Sequence, residues 1–168
     1  MLSGRAAGAQ AAAPAAPQTP DRLKITKVKV FGVTLDTRSD HPYVFVKIET
    51  DAGVVGWGEA TLEGKAGATI VTVKDFQDFL VGQDPMKVEY HWQAMYVHPF
   101  YRAGPVMGSA ISGIDQTLWD IRGKVLGQLV YRLLGGLVDP HGVRGYYHAR
   151  ARTREQLIAL RASAERLA

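Results

Sequence analysis

The stretch Tyr43–Glu63, YVFVKIETDAGVVGWGEATLE, decides the fold of this 168-residue chain. Its first eight residues alternate between two faces, and the apolar face holds Val44, Val46 and Ile48. A period of two is typical of a β-strand that buries one of its faces. Asp51-Ala52-Gly53 then supplies turn residues, and Val54–Glu59 returns as a second extended run. The stretch therefore predicts an antiparallel hairpin.

A further strand is predicted before this hairpin. Lys24–Val33 alternates polar and apolar side chains, and the polar loop Thr34–Pro42 connects it to Tyr43–Thr50. Sequential strands joined by short links usually pair as neighbours. We therefore expect a three-stranded antiparallel meander.

Helical spacing follows the strands. Ala66–Leu80 is predicted as a helix closed by Gly82, and a short second helix starts after Asp84-Pro85, with the proline at its first position. Pro105–Val125 has the strongest helical pattern, because its apolar residues recur at intervals of three and four. Gly127 is expected to end this helix.

The last part of the chain changes pattern again. Leu129–Leu134 adds one more helical turn, and Val143–His148 is predicted as a short strand. Thr153 then opens a helix, with Gln156 completing a capping box. A strand followed by a helix is how a β/α repeat begins. The predicted fold class is α+β: a three-stranded antiparallel meander, a helical bundle, and then the first strand and part of the first helix of a (β/α) barrel.

The composition is that of a globular protein able to bury a core. Hydrophobic residues make up 46% of the chain and charged residues 21%. The three tryptophans are interpreted as part of the core: Trp57, Trp92 and Trp119. The chain has no cysteine, which excludes disulfides and thiolate metal sites. No run of about 18 apolar residues occurs, so no transmembrane helix is expected.

The net charge of +4 comes entirely from the last 28 residues. Up to Pro140 the chain has 14 Lys or Arg and 14 Asp or Glu, whereas residues 141–168 have six Arg and two Glu. A basic segment of this kind is compatible with a phosphate-binding patch or with a solvated or partner-facing helix. The neutral remainder favours the second interpretation, so no nucleic-acid partner is expected.

The first 21 residues carry no pattern of a fold. Met1–Pro20 is almost entirely Ala, Pro, Gly and Gln, with Arg5 as its only charged side chain. Such a segment cannot offset its ordering entropy and is predicted to be disordered. Ala9-Gln10-Ala11 is similar to the end of an export signal, but the apolar region that precedes a cleavage site is missing. A cytoplasmic protein is expected, with the remnant of an export leader as the alternative.

Five segments resemble, in the same order, the amino-terminal part of enolase-superfamily enzymes. They are the GVVGWGEA hairpin, the LVGQDP turn, the HPFYRAGPV segment, the SAISGIDQTLWDIRGKVLGQLVYRLLGG helix and the strand after it. The resemblance is to the mandelate racemase/muconate lactonizing enzyme branch, and within it to galactonate dehydratase-like acid-sugar dehydratases. It covers about Leu23–Ala168.

This resemblance implies a carbon–oxygen lyase of two domains. A capping domain closes the mouth of a barrel, whose carboxylates hold Mg²⁺ and whose Lys or His bases remove the proton next to the substrate carboxylate. On this interpretation residues 1–21 are a tail, 22–137 the capping domain and 138–168 the start of a truncated TIM-type barrel. A complete barrel needs about 200 residues or more. No catalytic residue or metal ligand is therefore assigned here, and Mg²⁺ belongs to the complete enzyme.

The candidate substrate-binding residues lie in segments that the resemblance places over the active site. One capping loop corresponds to Thr34–Tyr43 and a second to Glu59–Thr69, whose charged side chains suit sugar hydroxyls. Arginine and tyrosine in a third segment offer a forked donor and a flat face with a hydroxyl. The candidates are Glu59, Glu63, Lys65, Tyr101 and Arg102.

Structural alternatives exist for three of these residues. Glu59 at a strand end is also suited to capping the next helix, and Lys65 to simple solvation. Arg102 has a structural alternative in a pairing with Asp115 or Asp120.

The expected function is substrate capping in a Mg²⁺-dependent, galactonate-type dehydratase, with no activity from this chain alone. The partner of the complete enzyme is a small-molecule acid sugar. The alternative is a non-catalytic binding or assembly module that pairs with a separately encoded barrel, or with a second copy of itself. No membrane partner is expected.

Overall fold

A computed structural model describes residues 23–34, 42–102, 104–139, 142 and 151–164 of the chain. The predicted disordered tail, most of the loop Thr34–Pro42 and the predicted strand Val143–His148 lie outside these residues. Contacts divide the chain into two units, Met1–Gly136 and Leu137–Ala168, and each is described by itself.

The first unit begins with the expected meander. Strands β1 (Ile25–Val33), β2 (Tyr43–Thr50) and β3 (Val55–Glu59) pair antiparallel in the order β1-β2-β3. The apolar face of β2 is fully buried, as its alternation predicts: Val44, Val46 and Ile48. The predicted α+β class and the meander are confirmed.

The opposite face of the sheet is open, and it corrects one prediction. Trp57 is 48% exposed rather than buried in the core. It pairs with Lys47 across the sheet and stands 5.9 Å from the ring of Phe31. The reason is the alternation of β3, in which Gly56 and Gly58 take the inward positions. Trp92 and Trp119 are partly buried and pack against the core.

The helices occur where the sequence predicts them, but some of their boundaries differ. The predicted helix Ala66–Leu80 is divided into α1 (Ala66–Asp75) and α2 (Gln77–Leu80). The residue between them, Phe76, keeps helical dihedral angles of φ −77° and ψ −11°. The backbone therefore stays helical through the interruption.

The next helix does not begin at Pro85 as predicted. Helix α3 spans Val88–Tyr96. The carboxylate of Asp84 accepts a hydrogen bond from the Met86 N–H at 2.9 Å, and its carbonyl accepts one from the Lys87 N–H at 3.2 Å. These two bonds close a turn around Pro85, because an aspartate side chain competes with helical bonding at such positions.

Helix α4 (Pro105–Leu126) confirms the strongest sequence pattern. Proline stands at its start, and Gly127 ends it with a left-handed φ of 62°. Its apolar face is fully buried against the sheet: Ile114, Leu118 and Ile121. The short helix α5 (Val130–Leu133) follows.

Strand β3 and helix α4 pack with their backbones close together. A Cβ atom at Gly58 would lie 2.1 Å from the carbonyl oxygen of Gly113, and one at Gly56 would lie 2.3 Å from that of Thr117. Only glycine permits such an approach. The GVVGWGEA motif therefore serves helix packing as well as the hairpin.

In the second unit, helix α6 spans Arg154–Ala164. The Gln156 N–H donates to the Thr153 hydroxyl at 3.3 Å, as the capping-box prediction requires. The Gln156 side chain accepts a bond from the Arg152 N–H at 2.8 Å, one residue earlier than in a regular box.

Candidate functional site

Glu59 occupies the last position of β3, and its backbone is held by helix α4. The Gln116 side-chain oxygen accepts a hydrogen bond from the Glu59 N–H at 3.0 Å. The Gln116 amide nitrogen donates to the Glu59 carbonyl at 3.3 Å and to the Ser112 hydroxyl at 3.1 Å. One side chain therefore satisfies both backbone groups of Glu59, as a neighbouring strand would.

The Glu59 side chain is exposed but also has a partner. Its Oε1 accepts a hydrogen bond from the Thr61 hydroxyl at 2.7 Å. The predicted alternative, that Glu59 caps the next helix, is wrong. The N-cap position of α1 is Lys65, and no side chain caps it.

Glu63 and Lys65 lie in the connection between β3 and α1, and both are exposed. The Lys65 N–H donates to the Leu62 carbonyl at 3.0 Å across a turn in which Gly64 has a φ of 69°. The Lys65 carbonyl accepts bonds from both the N–H and the hydroxyl of Thr69. The backbone of this connection is thus ordered, while its charged side chains face solvent.

Tyr101 and Arg102 lie in the connection between α3 and α4. Tyr101 is 84% exposed, and its ring meets that of Phe100 edge-to-face at 5.2 Å. Within the part of the chain that the structure describes, no carboxylate forms an ion pair with Arg102. Asp120, one of its two suggested partners, instead binds the Trp57 N–H at 2.9 Å and the Lys124 ammonium at 2.6 Å.

Asp115, the other suggested partner of Arg102, is half-buried on α4. Burial raises the pKa of its carboxyl, and the negative charge of Glu89 raises it further. An arginine beside it would act in the opposite direction. The pairing of Arg102 with Asp115 therefore has no support in this structure.

The strand order places these connections at one end of the first unit. Val33 pairs with Tyr43, and Phe45 pairs with Glu59, so the end of β1, the start of β2 and the end of β3 lie at the same end of the sheet. Helix α4 runs antiparallel to β3, because Gln116 binds Glu59 and Asp120 binds Trp57. The start of α4, and with it the Tyr101–Arg102 connection, therefore lies at this end too.

The length of α4 separates Glu59 from the Tyr101–Arg102 connection. Gln116 lies eleven residues after the start of the helix at Pro105. At 1.5 Å per residue, the start of α4, which follows the Tyr101–Arg102 connection, lies roughly 16 Å beyond the level of Glu59 along the helix axis. The start of α4 therefore projects beyond the end of β3, and the two groups of candidates lie at different levels along the helix axis.

A match to a family model fits this architecture. Residues 22–135 match the model described as mandelate racemase / muconate lactonizing enzyme, N-terminal domain. The match includes the whole sheet and helices α1 to α5. The chain belongs to this family.

Two relatives of this chain are both D-galactonate dehydratases. Over 116 residues, 69% of this chain, it is 50% identical to a D-galactonate dehydratase of Pectobacterium atrosepticum and 51% identical to one of Ralstonia nicotianae. The chain spans 29% of the length of each of these relatives. The predicted family and its N-terminal domain are confirmed, and these relatives are of the galactonate dehydratase type that the sequence resembles.

A solved structure shows the same fold. An enolase from Pantoea ananatis, crystallised with D-gluconate and Mg, has 41% sequence identity to this chain and a TM-score of 0.63. The similarity covers 70% of this chain and 28% of that one.

The described residues of this family member do not fit a metal site of their own. No group of three or more His, Asp or Glu side chains occurs among them in an arrangement that would hold a metal ion. Asp115 and Asp120 lie on different faces of α4, where one is half-buried near Glu89 and the other binds β3. Within the same residues, no helix is long and apolar enough to cross a membrane.

Two residues of this site were not found from the sequence. Thr61 and Gln116 are the groups that hold Glu59. Both lie in segments that the sequence singled out, but nothing in those segments marks either residue as a partner of Glu59. A weak signal for Gln116 exists, since polar residues recur every fourth position on α4: Gln116, Asp120 and Lys124. A signal for Thr61 is its place two residues after a glutamate at a strand end.

A cavity in the described part of the chain lies away from these residues. It has about 390 Å³ and opens at the end of α4, beside Lys124, Gln128 and Val130. None of the candidate substrate-binding residues lines it.

Proposed function

We propose that this chain supplies the substrate-capping domain of a Mg²⁺-dependent acid-sugar dehydratase of the galactonate type. The observation that carries the proposal is the fixed carboxylate of Glu59, at the same end of the first unit as the other candidates. The D-galactonate dehydratases that share half of its aligned residues support the substrate class. The D-gluconate and Mg bound to the Pantoea ananatis structure support an acid sugar and a metal for the whole enzyme.

The chemistry of the candidates suits the polyol end of an acid sugar. Carboxylates of Glu59 and Glu63 accept hydrogen bonds from hydroxyl groups, and Lys65 and Arg102 donate them. A guanidinium also binds a carboxylate with two parallel bonds. These residues would bind and orient the substrate and exclude water, which is what a closing cap contributes to a reaction.

Metal binding and proton abstraction are assigned in this proposal to a (β/α) barrel that the domain covers. Removal of a proton next to a carboxylate needs a metal and a base that act together. The described residues fit no metal, so the purified chain is expected to have no lyase activity of its own.

A chimera tests the capping role directly. Residues 23–136 would replace the corresponding segment of the Pectobacterium atrosepticum D-galactonate dehydratase, with which half of the aligned residues are shared. We expect the chimera to dehydrate D-galactonate in the presence of Mg²⁺ and the purified chain not to do so. A folded, Mg²⁺-loaded chimera without activity would contradict the capping role, and turnover by the chain alone would contradict its dependence on a barrel.

The alternative is a module that pairs with a separately encoded barrel. Exposed apolar side chains at the end of α4 and beside α5 favour a covering partner: Leu126 is 43% exposed, Leu129 57% and Leu134 63%. Co-expression of the chain with the isolated barrel of the Pectobacterium enzyme distinguishes the two arrangements. Activity from the two separate chains would favour a module that acts in trans, and activity only from the fused chimera would exclude it.

A further inference from the structure

Glu59 is more restrained than an exposed glutamate at a strand end needs to be. Gln116 holds its N–H and carbonyl, and Thr61 holds one carboxylate oxygen. The Gln116 bonds have a structural explanation, because they satisfy the edge of β3. Asp120 does the same for the Trp57 N–H, and Lys124 for the Val55 carbonyl at 2.8 Å. The bond from Thr61 to the carboxylate has no such explanation, since water would solvate an exposed carboxylate equally well.

The direction of the Thr61 hydrogen bond follows from its second partner. The Val44 N–H lies 3.1 Å from the Thr61 hydroxyl oxygen and can only donate to it. The hydroxyl proton is therefore directed to Glu59 Oε1, at 2.7 Å, and an ionised carboxylate can only accept it. The backbone of β2 thus orients the hydroxyl, and the hydroxyl orients the carboxylate.

We propose that Thr61 is a positioning residue that fixes the Glu59 carboxylate for substrate binding. With Oε1 occupied by Thr61, the second oxygen, Oε2, is presented as an acceptor for a hydroxyl group of the acid sugar. This inference rests on the proposed capping function. It assigns to Glu59 a hydroxyl of the polyol chain, because two carboxylates would repel each other.

The position of Thr61 makes this arrangement possible. Ala60, between the two residues, is buried and donates its N–H to the Val44 carbonyl at 2.8 Å. Glu59 and Thr61 therefore stand on the same side of the extended backbone, two residues apart. A side chain that is already held in its binding rotamer loses less entropy when the substrate arrives.

The first test measures the Glu59 side chain in the whole 168-residue chain by NMR. Side-chain scalar couplings should report one dominant rotamer for Glu59 in the wild type and in Thr61→Ser, which keeps the hydroxyl. Thr61→Val removes the hydroxyl at nearly constant volume, and rotamer averaging of Glu59 is expected. Averaging in the wild type, or a single rotamer that persists in Thr61→Val, would overturn the proposal.

The second test uses the chimera with the Pectobacterium enzyme. Glu59→Ala is expected to raise KM for D-galactonate by about tenfold or more, as for loss of a hydrogen bond to a charged group. Thr61→Val should raise KM by a smaller factor, with little change in kcat, and Thr61→Ser should restore it. In a Glu59→Ala background Thr61→Val should have no further effect on KM. Equal effects of Thr61→Val with and without Glu59 would show that Thr61 does not act through Glu59.

A matched control separates positioning from general loss of a threonine hydroxyl. Thr72 on α1 is partly exposed, and among the described residues its hydroxyl bonds to the Ala68 carbonyl of its own helix, at 2.9 Å. Thr72→Val should leave KM unchanged. If Glu59→Ala leaves KM unchanged, the proposed role of Glu59 in substrate binding is wrong. The NMR experiment tests separately whether Thr61 orients the Glu59 carboxylate.

Discussion

Gly58 of β3 and Gly113 of α4 approach so closely that a Cβ on Gly58 would lie 2.1 Å from the Gly113 carbonyl oxygen. The obstacle is backbone, which cannot rotate away as a side chain would. The contact fixes the position of β3 along the axis of α4, and with it the position of Glu59, which is the next residue.

Gly58→Ala is therefore expected to destabilise the protein. Overpacking against a rigid neighbour costs about 1–3 kcal/mol, and we expect the upper part of that range. Urea unfolding of the purified chain measures the change. Gly67→Ala is the control, because Gly67 lies in helix α1 with no atom within 4 Å of its added Cβ. That change should stabilise by about 0.5–1 kcal/mol, and an equal loss of stability in both variants would contradict the packing argument.

Asp120→Ala should expose the edge of β3. The Trp57 N–H and the Lys124 ammonium both lose an acceptor, and we expect a loss of about 1 kcal/mol in unfolding free energy. An unpaired strand edge also invites pairing with another chain, so size-exclusion chromatography should show increased self-association. Asp120→Asn keeps an acceptor oxygen and should behave more like the wild type. Unchanged stability and association in Asp120→Ala would show that the edge does not depend on this bond.

The burial of His91 leads us to expect a lower free energy of unfolding in weak acid. Its ring is fully buried, and Nε2 lies 2.8 Å from the Asp84 carbonyl oxygen, whereas Nδ1 is buried without a hydrogen-bond partner in the described structure. Burial lowers the pKa of His91 below its usual 6.5, and the Asp84 carbonyl opposes this only in part.

The sign of the pH effect follows from that direction. The unfolded chain binds a proton near pH 6.5, and the folded chain does so only at lower pH. The free energy of unfolding should therefore be constant above about pH 7 and fall as the pH decreases through 6.5 toward the pKa of the folded state. NMR titration of the His91 ring in the folded chain measures that pKa. A value at or above 6.5 would contradict the prediction.

Glu49 makes a second contribution to the pH dependence of stability, at lower pH than His91. Hydrogen bonds from Lys29 at 2.7 Å and Lys47 at 2.8 Å lower the pKa of its carboxyl to about 2, from 4.5. A lowered carboxyl pKa stabilises the fold above pH 4.5, and this stabilisation is lost as the pH falls toward 2. Glu49→Gln should remove part of the acid dependence of unfolding below pH 4.5. The difference from the wild type should shrink at high salt, because the pairs are partly exposed and therefore screened by ions. A difference that salt leaves unchanged would rule out ion pairing as its origin.

The sheet and the main helix could be predicted because their signals are local. The alternation of Val44, Val46 and Ile48 and the glycine after Leu126 each act within a few residues. The error at Trp57 came from judging a tryptophan by its type rather than by its place between two glycines. The error at Pro85 arose because the Asp84 side chain closes a turn, which hydrophobic spacing does not reveal.

The candidate site could be predicted only in part. Glu59 was recognisable from its position at a strand end and from the family resemblance. Its partner Gln116 lies 57 residues away, and their contact depends on the height at which α4 crosses β3. Contacts of that kind arise from packing, and no local pattern in one sequence contains them.

The three polar residues of α4 that bind the edge of β3 also limit how long that strand can be. Four residues of helix advance about 6.0 Å, whereas two residues of strand advance about 6.6 Å. Helix and strand therefore fall out of step by about 0.6 Å at each successive bond. Over the three bonding positions from Glu59 to Val55 the accumulated offset is about 1.2 Å, which flexible side chains absorb. An extension of β3 by four residues would double the offset, so a side-chain edge of this kind suits short strands.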